Sequence, residues 1–371
     1  MAKERTKRLA VLTGGSDAPG MNAALRAVVR AALAKDFVVY AIKEGYQGLV
    51  AGDDFFLNMD WDSVGGILQR GGTIIGSAQS PEFRSRDGRR QAAKNLVKQG
   101  IDHLVVVGGD GSLFGATLFQ REWPELLGEL VEADEISQAV ANRHPRLRLV
   151  GLPATTENDV LGTDTAIGTD TALHRITTAI DRITSTAASH QRTFVVEVMG
   201  DYSGYLALMG GQASGADWVL IPESPSTAED WEEEMCEVLR AGRLWGRRDS
   251  MVVVAEGAQD RNGKPISGED VKRVLTEKLG EDTRITVLGH VQRGGSPSAY
   301  DRYLATILGS AAVDELVSPT NGNGPQLLGI RENQIVRTPL AESVEQSGAI
   351  IEAIESQDYD RALGLRGEEF N

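Results

Sequence analysis

Two acidic, hydroxyl-bearing segments, each following an apolar run, carry side chains suited to chemistry. They are Gly108-Gly109-Asp110-Gly111-Ser112 after Leu104-Val105-Val106-Val107, and Thr155-Thr156-Glu157-Asn158-Asp159 after Leu147-Arg148-Leu149-Val150. The chemistry that fits both is phosphoryl transfer. An Asp among glycines can hold a magnesium ion while the adjoining backbone N–H groups cradle phosphate oxygens. Glu157 and Asp159, with Thr155 and Asn158 as hydrogen-bonding groups, suit removal of a proton from an attacking hydroxyl beside a metal-bound phosphate. Each segment also has a structural reading: an Asx-turn for the first, an Asx-turn or helix N-cap cluster for the second. In an open α/β sheet, ligands bind at the carboxyl ends of strands, so two segments placed there can face one ligand.

A third glycine-rich stretch, Thr13-Gly14-Gly15-Ser16-Asp17-Ala18-Pro19-Gly20-Met21-Asn22, leads from the first apolar run into a helical pattern. Its glycines let backbone N–H groups approach a phosphate at a helix N-terminus. The spacing matches neither a Walker A loop nor a dinucleotide fingerprint, and a tight strand-to-helix turn accounts for it equally well. Farther on, Ser189-His190-Gln191-Arg192, Glu256, Thr283-Arg284 and His290-Val291-Gln292-Arg293-Gly294-Gly295-Ser296-Pro297 bring three Arg and one His to strand ends. Guanidinium binds phosphate bidentately, so together they form a clamp for a phosphate monoester, although a lone Arg of this kind is commonly a surface ion pair.

These residues need a scaffold, and the apolar pattern describes one. Short β-branched runs at 8–12, 38–42, 104–107, 147–151, 193–198, 218–221, 251–254 and 285–288 predict strands. Helical periodicity occupies 22–33, 87–99, 171–185, 227–239 and 268–279. This alternation predicts an α/β protein with mainly parallel sheets and right-handed crossovers, and the continuously apolar strands predict helices on both faces. The charged segment 122–145 reads as a helix-prone surface excursion, and 340–366 as helical again.

A chain of 371 residues suits two α/β domains, and 41% hydrophobic with 25% charged residues is ordinary for a globular protein. The net charge of -15 opposes nucleic acid or an anionic membrane surface as a partner. It does not oppose a small anionic substrate, because a few Arg residues make a local positive pocket. The single cysteine, Cys236, follows three glutamates and reads as a core residue. The apolar run 9–12 is too short for a signal-peptide core and no stretch reaches the length of a membrane span, so a cytoplasmic enzyme is expected.

In combination the segments resemble the phosphofructokinase family over residues 8–368. The blocks that carry the resemblance are Gly71-Gly72-Thr73, Gly108 to Ser112, Gly162-Thr163-Asp164, Ser189 to Arg192, Glu197-Val198-Met199-Gly200, and Val287 to Pro297. The chain is most similar to the amino-terminal half of the long animal and fungal enzymes. The resemblance implies two doubly wound, Rossmann-like domains: a nucleotide-binding one from 1–168 plus 292–342, and a sugar-phosphate-binding one from 169–291 plus 343–371. It implies transfer of the ATP γ-phosphoryl group to the 1-hydroxyl of fructose 6-phosphate, with Mg2+ as the metal. Gly15, Arg84, Gly109, Gly111 and Ser112 would then serve the nucleotide, and Asp110 the magnesium. Thr155, Asp159, Met199, Gly200, Glu256 and His290 would hold the sugar phosphate with Arg192, Arg284 and Arg293. In the family, arginines matching Arg192 and Arg284 reach in from a neighbouring subunit, which implies a homotetramer or a hetero-oligomer with a paralogue. Gly111 is similar to the ATP-using branch, since pyrophosphate-using relatives carry Asp there, and Ala154 stands where they typically have Lys.

The departures gather around the reacting groups. Glu157 occupies the place of the family's catalytic Asp, and its extra methylene displaces the carboxylate by about 1 Å, a misplacement that can cost roughly 10²-fold in rate. Gln79 and Asp201 each stand where the family carries an Arg. Three readings follow: an ATP-dependent 6-phosphofructokinase with Glu157 as base, a weak or inactive sugar-phosphate-binding regulatory homologue, and a kinase of the same fold with another donor (ADP, pyrophosphate) or acceptor.

Overall fold

Strands that are apolar on both faces must be covered on both faces, and the chain provides this by placing helices between them. The computed structural model describes residues 6–226, 230–318, 324–367 and 370. Among these the strands are β1 (Arg8–Gly14), β2 (Val38–Ile42), β3 (Phe56–Met59), β4 (His103–Gly108), β5 (Arg148–Pro153), β6 (Thr193–Val198), β7 (Trp218–Leu220), β8 (Ser250–Ala255), β9 (Thr283–Val287), β10 (Gln326–Arg331) and β11 (Gln334–Pro339). The mixed α/β class read from the sequence is the one observed. The chain divides into two compact units, Met1–Thr155 with Val160–Gly168 and Gly294–Glu345, and Thr156–Asp159 with Thr169–Arg293 and Gln346–Asn371. The sequence reading had 156–159 inside the first domain; here Ser203 and Arg293, both in the second unit, bond to Glu157.

The first unit holds a sheet in the order β11-β10-β5-β4-β1-β2-β3, parallel except for its outermost strands β3 and β11. After β1 the chain runs to one side through β2, then returns to lay β4 on the other side, so the β1/β4 crevice is the topological switch point. Alternate residues serve opposite faces. Leu9, Val11, Val105 and Val107 pack on the helices Met21–Leu33 and Ala299–Val317, while Ala10, Leu12, Leu104 and Val106 pack on Arg86–Lys98 and Asp110–Glu132. Gly309 permits the close approach of the first helix pair, because a Cβ there would lie 2.7 Å from the Ala27 Cβ and 2.9 Å from the Ala24 carbonyl.

The second unit holds an all-parallel sheet in the order β7-β8-β6-β9, with its switch point at β6. Val196, Val198 and Val253 face the helices Thr169–His190 and Tyr205–Ser214, and Val195, Val252 and Val254 face Trp231–Leu244 and Gly268–Leu279. Cys236 is buried in the second of these layers, as its apolar neighbours require.

Some expectations change. Segment 122–145 is not a surface excursion: Trp123, Leu126, Leu127 and Leu130 extend the helix Asp110–Glu132 into the core, with Trp123 Nε1 donating to the His144 carbonyl at 2.9 Å. The helix expected from 227 begins at Trp231, capped by Asp230, and residues 227–229 lie outside the described residues. The expected helix 340–366 is two, Leu340–Glu355 and Tyr359–Arg366, divided where Gln357 takes φ 61° and Asp358 caps the second. Among the described residues, no helix is long and apolar enough to cross a membrane.

Gly309→Ala should lower the denaturation midpoint by an amount equivalent to about 1–3 kcal/mol. Gly348→Ala, also helical but with nothing within 4 Å of the added Cβ, should raise stability by about 0.5–1 kcal/mol. Equal effects in urea titrations would disprove the close-packing account.

Candidate active site

At the carboxyl edge of the first unit's sheet, β1, β4 and β5 end side by side, with Gly14 level with Gly108 and Gly108 with Pro153. Glycine is needed because the turns touch: a Cβ on Gly108 would lie 2.6 Å from the Gly14 carbonyl oxygen, and one on Gly14 2.6 Å from Ser112 Oγ. Gly15 follows with φ +75°. What the sequence presents as a turn at 108–112 is partly helix, since Asp110 opens Asp110–Glu132 and no side chain caps it at Gly109. The N-terminus of so long a helix favours phosphate. A Cβ at Gly111 would meet nothing within 4 Å, so the space beside this first turn is open. Thr155 lies next to it, its Cβ 3.7 Å from a Cβ built on Gly109 and its N–H donating to the Ile167 carbonyl.

A second layer of bonds fixes this edge. Thr13 Oγ1 donates its one proton to the Gly76 carbonyl and accepts from Thr73 Oγ1, both at 2.9 Å. Buried Asn22 donates to the Arg70 and Gly71 carbonyls and accepts from the Ile74 N–H at 2.8 Å, tying Gly71-Gly72-Thr73 to the first turn. Tyr46 Oη donates to the Ser112 carbonyl at 2.7 Å. Sequence reading missed Thr13, Asn22 and Tyr46 as positioning groups; the detectable signal was a polar Asn heading an otherwise apolar helix face. Arg84 and Gln79 are exposed, on either side of the short helix Pro81–Arg84 start and end. Among the described residues no group of three or more His, Cys, Asp or Glu converges as a cage for a metal. Asp110 instead offers one hard carboxylate at a glycine-rich turn that opens a helix, a donor set that fits magnesium, which takes most of its ligands from phosphates and water.

At the carboxyl edge of the second unit's sheet, the ends of β6, β8 and β9 are stitched by Glu256 N–H to the Val198 carbonyl, Gly257 N–H to Gly200 and Leu288 N–H to Glu197. Gly200, at φ +136°, has room for no side chain: its Cβ would lie 2.1 Å from the Ser203 carbonyl oxygen. The Met199 N–H donates to Gln292 Oε1, and Gln292 Nε2 to the Gly289 carbonyl. Met199, Gly200, Glu256, His290 and Arg293 are thereby held at one edge.

The Thr156–Asp159 segment joins them. Ser203 Oγ donates to the Glu157 carbonyl at 2.8 Å, Asn158 takes φ 51°, and Glu157 Oε1 lies 3.5 Å from Arg293 Nη2. Asp159 Oδ1 and Arg293 Nε are buried with no hydrogen-bond partner among the described residues. Buried polar atoms in that state on a carboxylate and a guanidinium leave room for a water or a polar ligand to complete the bonding. Burial raises the Glu157 carboxyl to about 7, with Asp159 and Asp201 adding to the rise and Arg293 opposing it. Burial likewise raises Glu256, reinforced by Asp201 and Glu197 and opposed by Arg293 and His290. Glu157 can therefore exchange a proton near neutral pH.

The expected four-residue clamp is divided. Thr193 and Thr283 are register partners, so Arg192 and Arg284 fall at the amino edge of this sheet, both paired with Asp282 at 2.7 and 2.6 Å. Arg293 and His290 follow β9 at the opposite edge, and strands of this length span roughly 20 Å. "Strand end" in a sequence does not specify which end.

A family model described as phosphofructokinase matches residues 8–316. The chain is 52% identical over 364 residues to the "ATP-dependent 6-phosphofructokinase, muscle type" of Macaca fascicularis, covering 98% of this chain and 46% of that one. To the "ATP-dependent 6-phosphofructokinase subunit alpha" of Komagataella pastoris it is 51% identical over 369 residues, covering 100% and 37%. The solved phosphofructokinase from Saccharomyces cerevisiae superposes with a TM-score of 0.94 at 49% identity, over 98% of this chain and 49% of that chain. The chain thus spans about half the length, or less, of these curated relatives.

A carboxyl raised on folding binds its proton more tightly in the folded state, so its contribution is lost as pH climbs from the unfolded value of about 4.3 to the folded value near 7. Glu157→Gln should consequently be more stable than the parent at pH 8 by up to about 3 kcal/mol and equal to it near pH 4. Denaturation curves across that range check this; a constant difference would contradict it.

Proposed function

This chain belongs to the phosphofructokinase family, and from that membership we propose that it transfers the γ-phosphoryl group of ATP to the 1-hydroxyl of fructose 6-phosphate. The observation that carries the reading is Glu157: a buried carboxyl raised to about 7, 3.5 Å from Arg293, in the acidic segment where a phosphoryl acceptor loses its proton. Gly15, Gly109, Gly111 and Ser112 receive the nucleotide phosphates on backbone donors, with exposed Arg84 as a counter-charge. Asp110 holds magnesium, which when bound neutralises charge on the phosphate oxygens.

Met199, Gly200, Glu256, His290 and Arg293 hold the sugar phosphate, joined by Thr155 and Asp159. Glu157 takes the hydroxyl proton as it attacks. Arg293 is the counter-charge that keeps Glu157 from rising further, and it turns to the substrate's phosphate when that arrives. Arg192 and Arg284, displaced to the far edge of their sheet, serve the site of a neighbouring copy in a homotetramer or of a paralogue in a hetero-oligomer. A cytoplasmic location accords with this substrate.

A second reading, sugar-phosphate binding with little turnover, is favoured by exposed Asp201, whose charge adds to the rise of both Glu157 and Glu256. A coupled assay of the purified chain with ATP, magnesium and fructose 6-phosphate separates the two. We expect fructose 1,6-bisphosphate, with kcat rising through pH 7 as Glu157 ionises, and a loss of about 10²- to 10⁴-fold in Glu157→Gln. Binding of the sugar phosphate without product supports the second reading. ADP or pyrophosphate outperforming ATP in the same assay would overturn the choice of donor. Glu157→Asp, which restores the shorter side chain, should raise kcat.

A further inference from the structure

One residue from the Ser203 that bonds the Glu157 main chain lies a buried ion pair that the proposed chemistry does not use. Glu223 is fully buried, and its Oε1 accepts from Arg366 Nε at 2.9 Å. Both Glu223 oxygens also accept from the Gly204 N–H, at 3.0 and 2.9 Å. Arg366 Nη2 donates to the Tyr202 carbonyl at 2.7 Å, so one guanidinium and one carboxylate grip the same corner, Tyr202-Ser203-Gly204, from both of its peptide ends. The corner has no slack: a Cβ on Gly204 would lie 2.3 Å from the Ile221 Cβ and 2.7 Å from Glu223 Oε2. Its middle residue, Ser203, is fully buried and donates to the Glu157 carbonyl.

We infer that the Glu223–Arg366 pair is a positioning device for the catalytic carboxylate, through which the helix Tyr359–Arg366 sets the main-chain placement of Glu157. The sequence of contacts is continuous: Arg366 and Glu223 to the corner, Ser203 Oγ to the Glu157 carbonyl, and the Glu157 carboxylate to Arg293. Every atom in it lies in one compact unit. A pair retained for stability alone has no need to spend three of its bonds on one corner, and a buried ion pair is itself weak evidence of stabilisation. The inference rests on the reading of Glu157 as the base.

Removing Arg366 alone would strand a buried carboxylate, so the variant to use is Glu223→Gln/Arg366→Met, which removes both charges at similar volume, with Ser203→Ala as the second. Two readouts are needed. In turnover, both variants should lose about 10- to 100-fold in kcat with KM for ATP unchanged, and combining them should cost little more than either. Independently of turnover, ¹³C titration of labelled glutamate carboxyls, with the Glu157 resonance identified from Glu157→Gln, should show Glu157 moving down from about 7 towards the ordinary range as water reaches the loosened segment. The groups facing that carboxyl are Asp159, Asp201 and Arg293, and none is altered. Variants that lose thermal stability yet keep kcat and the Glu157 titration would overturn the inference and leave a merely structural pair. Unchanged kcat in Glu157→Gln would overturn the base reading instead, and a parent chain without turnover leaves the titration to decide the positioning.

Discussion

Both sheets are covered on both faces by helices, and this constraint governs where chemistry can occur. Water and small anions reach the backbone only at strand ends, where side chains, loop N–H groups and helix termini converge. Each unit therefore has one edge rich in glycine, because loops from adjacent parallel strands less than 5 Å apart must pass one another without side chains. Gly108 against Gly14 in one unit, and Gly257 against Asp201 in the other, are the same solution to the same crowding.

Within that frame, the two acidic segments differ in what surrounds them. Asp110 sits at the start of a long helix, where the fixed dipole and backbone favour anionic ligands whether or not any side chain is charged. Glu157 sits among carboxylates with a single nearby guanidinium, and its proton affinity is a balance of burial against Arg293. The first environment is built from backbone and depends on glycines that let its turns touch. The second is built from side chains and is sensitive to each one, which is why the residues that depart from the family pattern, Glu157 and Asp201, influence the same titration.

The strands at the centre of each sheet were legible because burial on both faces makes them uniformly apolar: 193–198 and 38–42 coincide with β6 and β2. Strands β3, β10 and β11 were not: β3 and β11 are antiparallel, outermost and partly exposed, and β10 is a short apolar run between polar flanks. Segment 122–145 misled for a related reason. Its carboxylates recur from Glu122 to Glu135, but Trp123, Leu126, Leu127 and Leu130 share one helical face. Of the site, the residue types and their attachment to strands were readable. The edge on which Arg192 and Arg284 fall depends on strand register, and the contacts of Ser203, Glu223 and Arg366 on approaches between distant segments; local sequence encodes neither.

The open space at Gly111 has an evolutionary meaning. The residue lies on an ordinary helical turn, not in the positive-φ region, and a Cβ there would meet no other described part of the protein within 4 Å. Packing consequently makes no demand for glycine at this position, and helix propensity alone would favour alanine. Substitutions there can be explored by point mutation without passing through an unfolded intermediate, so the scaffold is permissive at the opening turn of its longest helix.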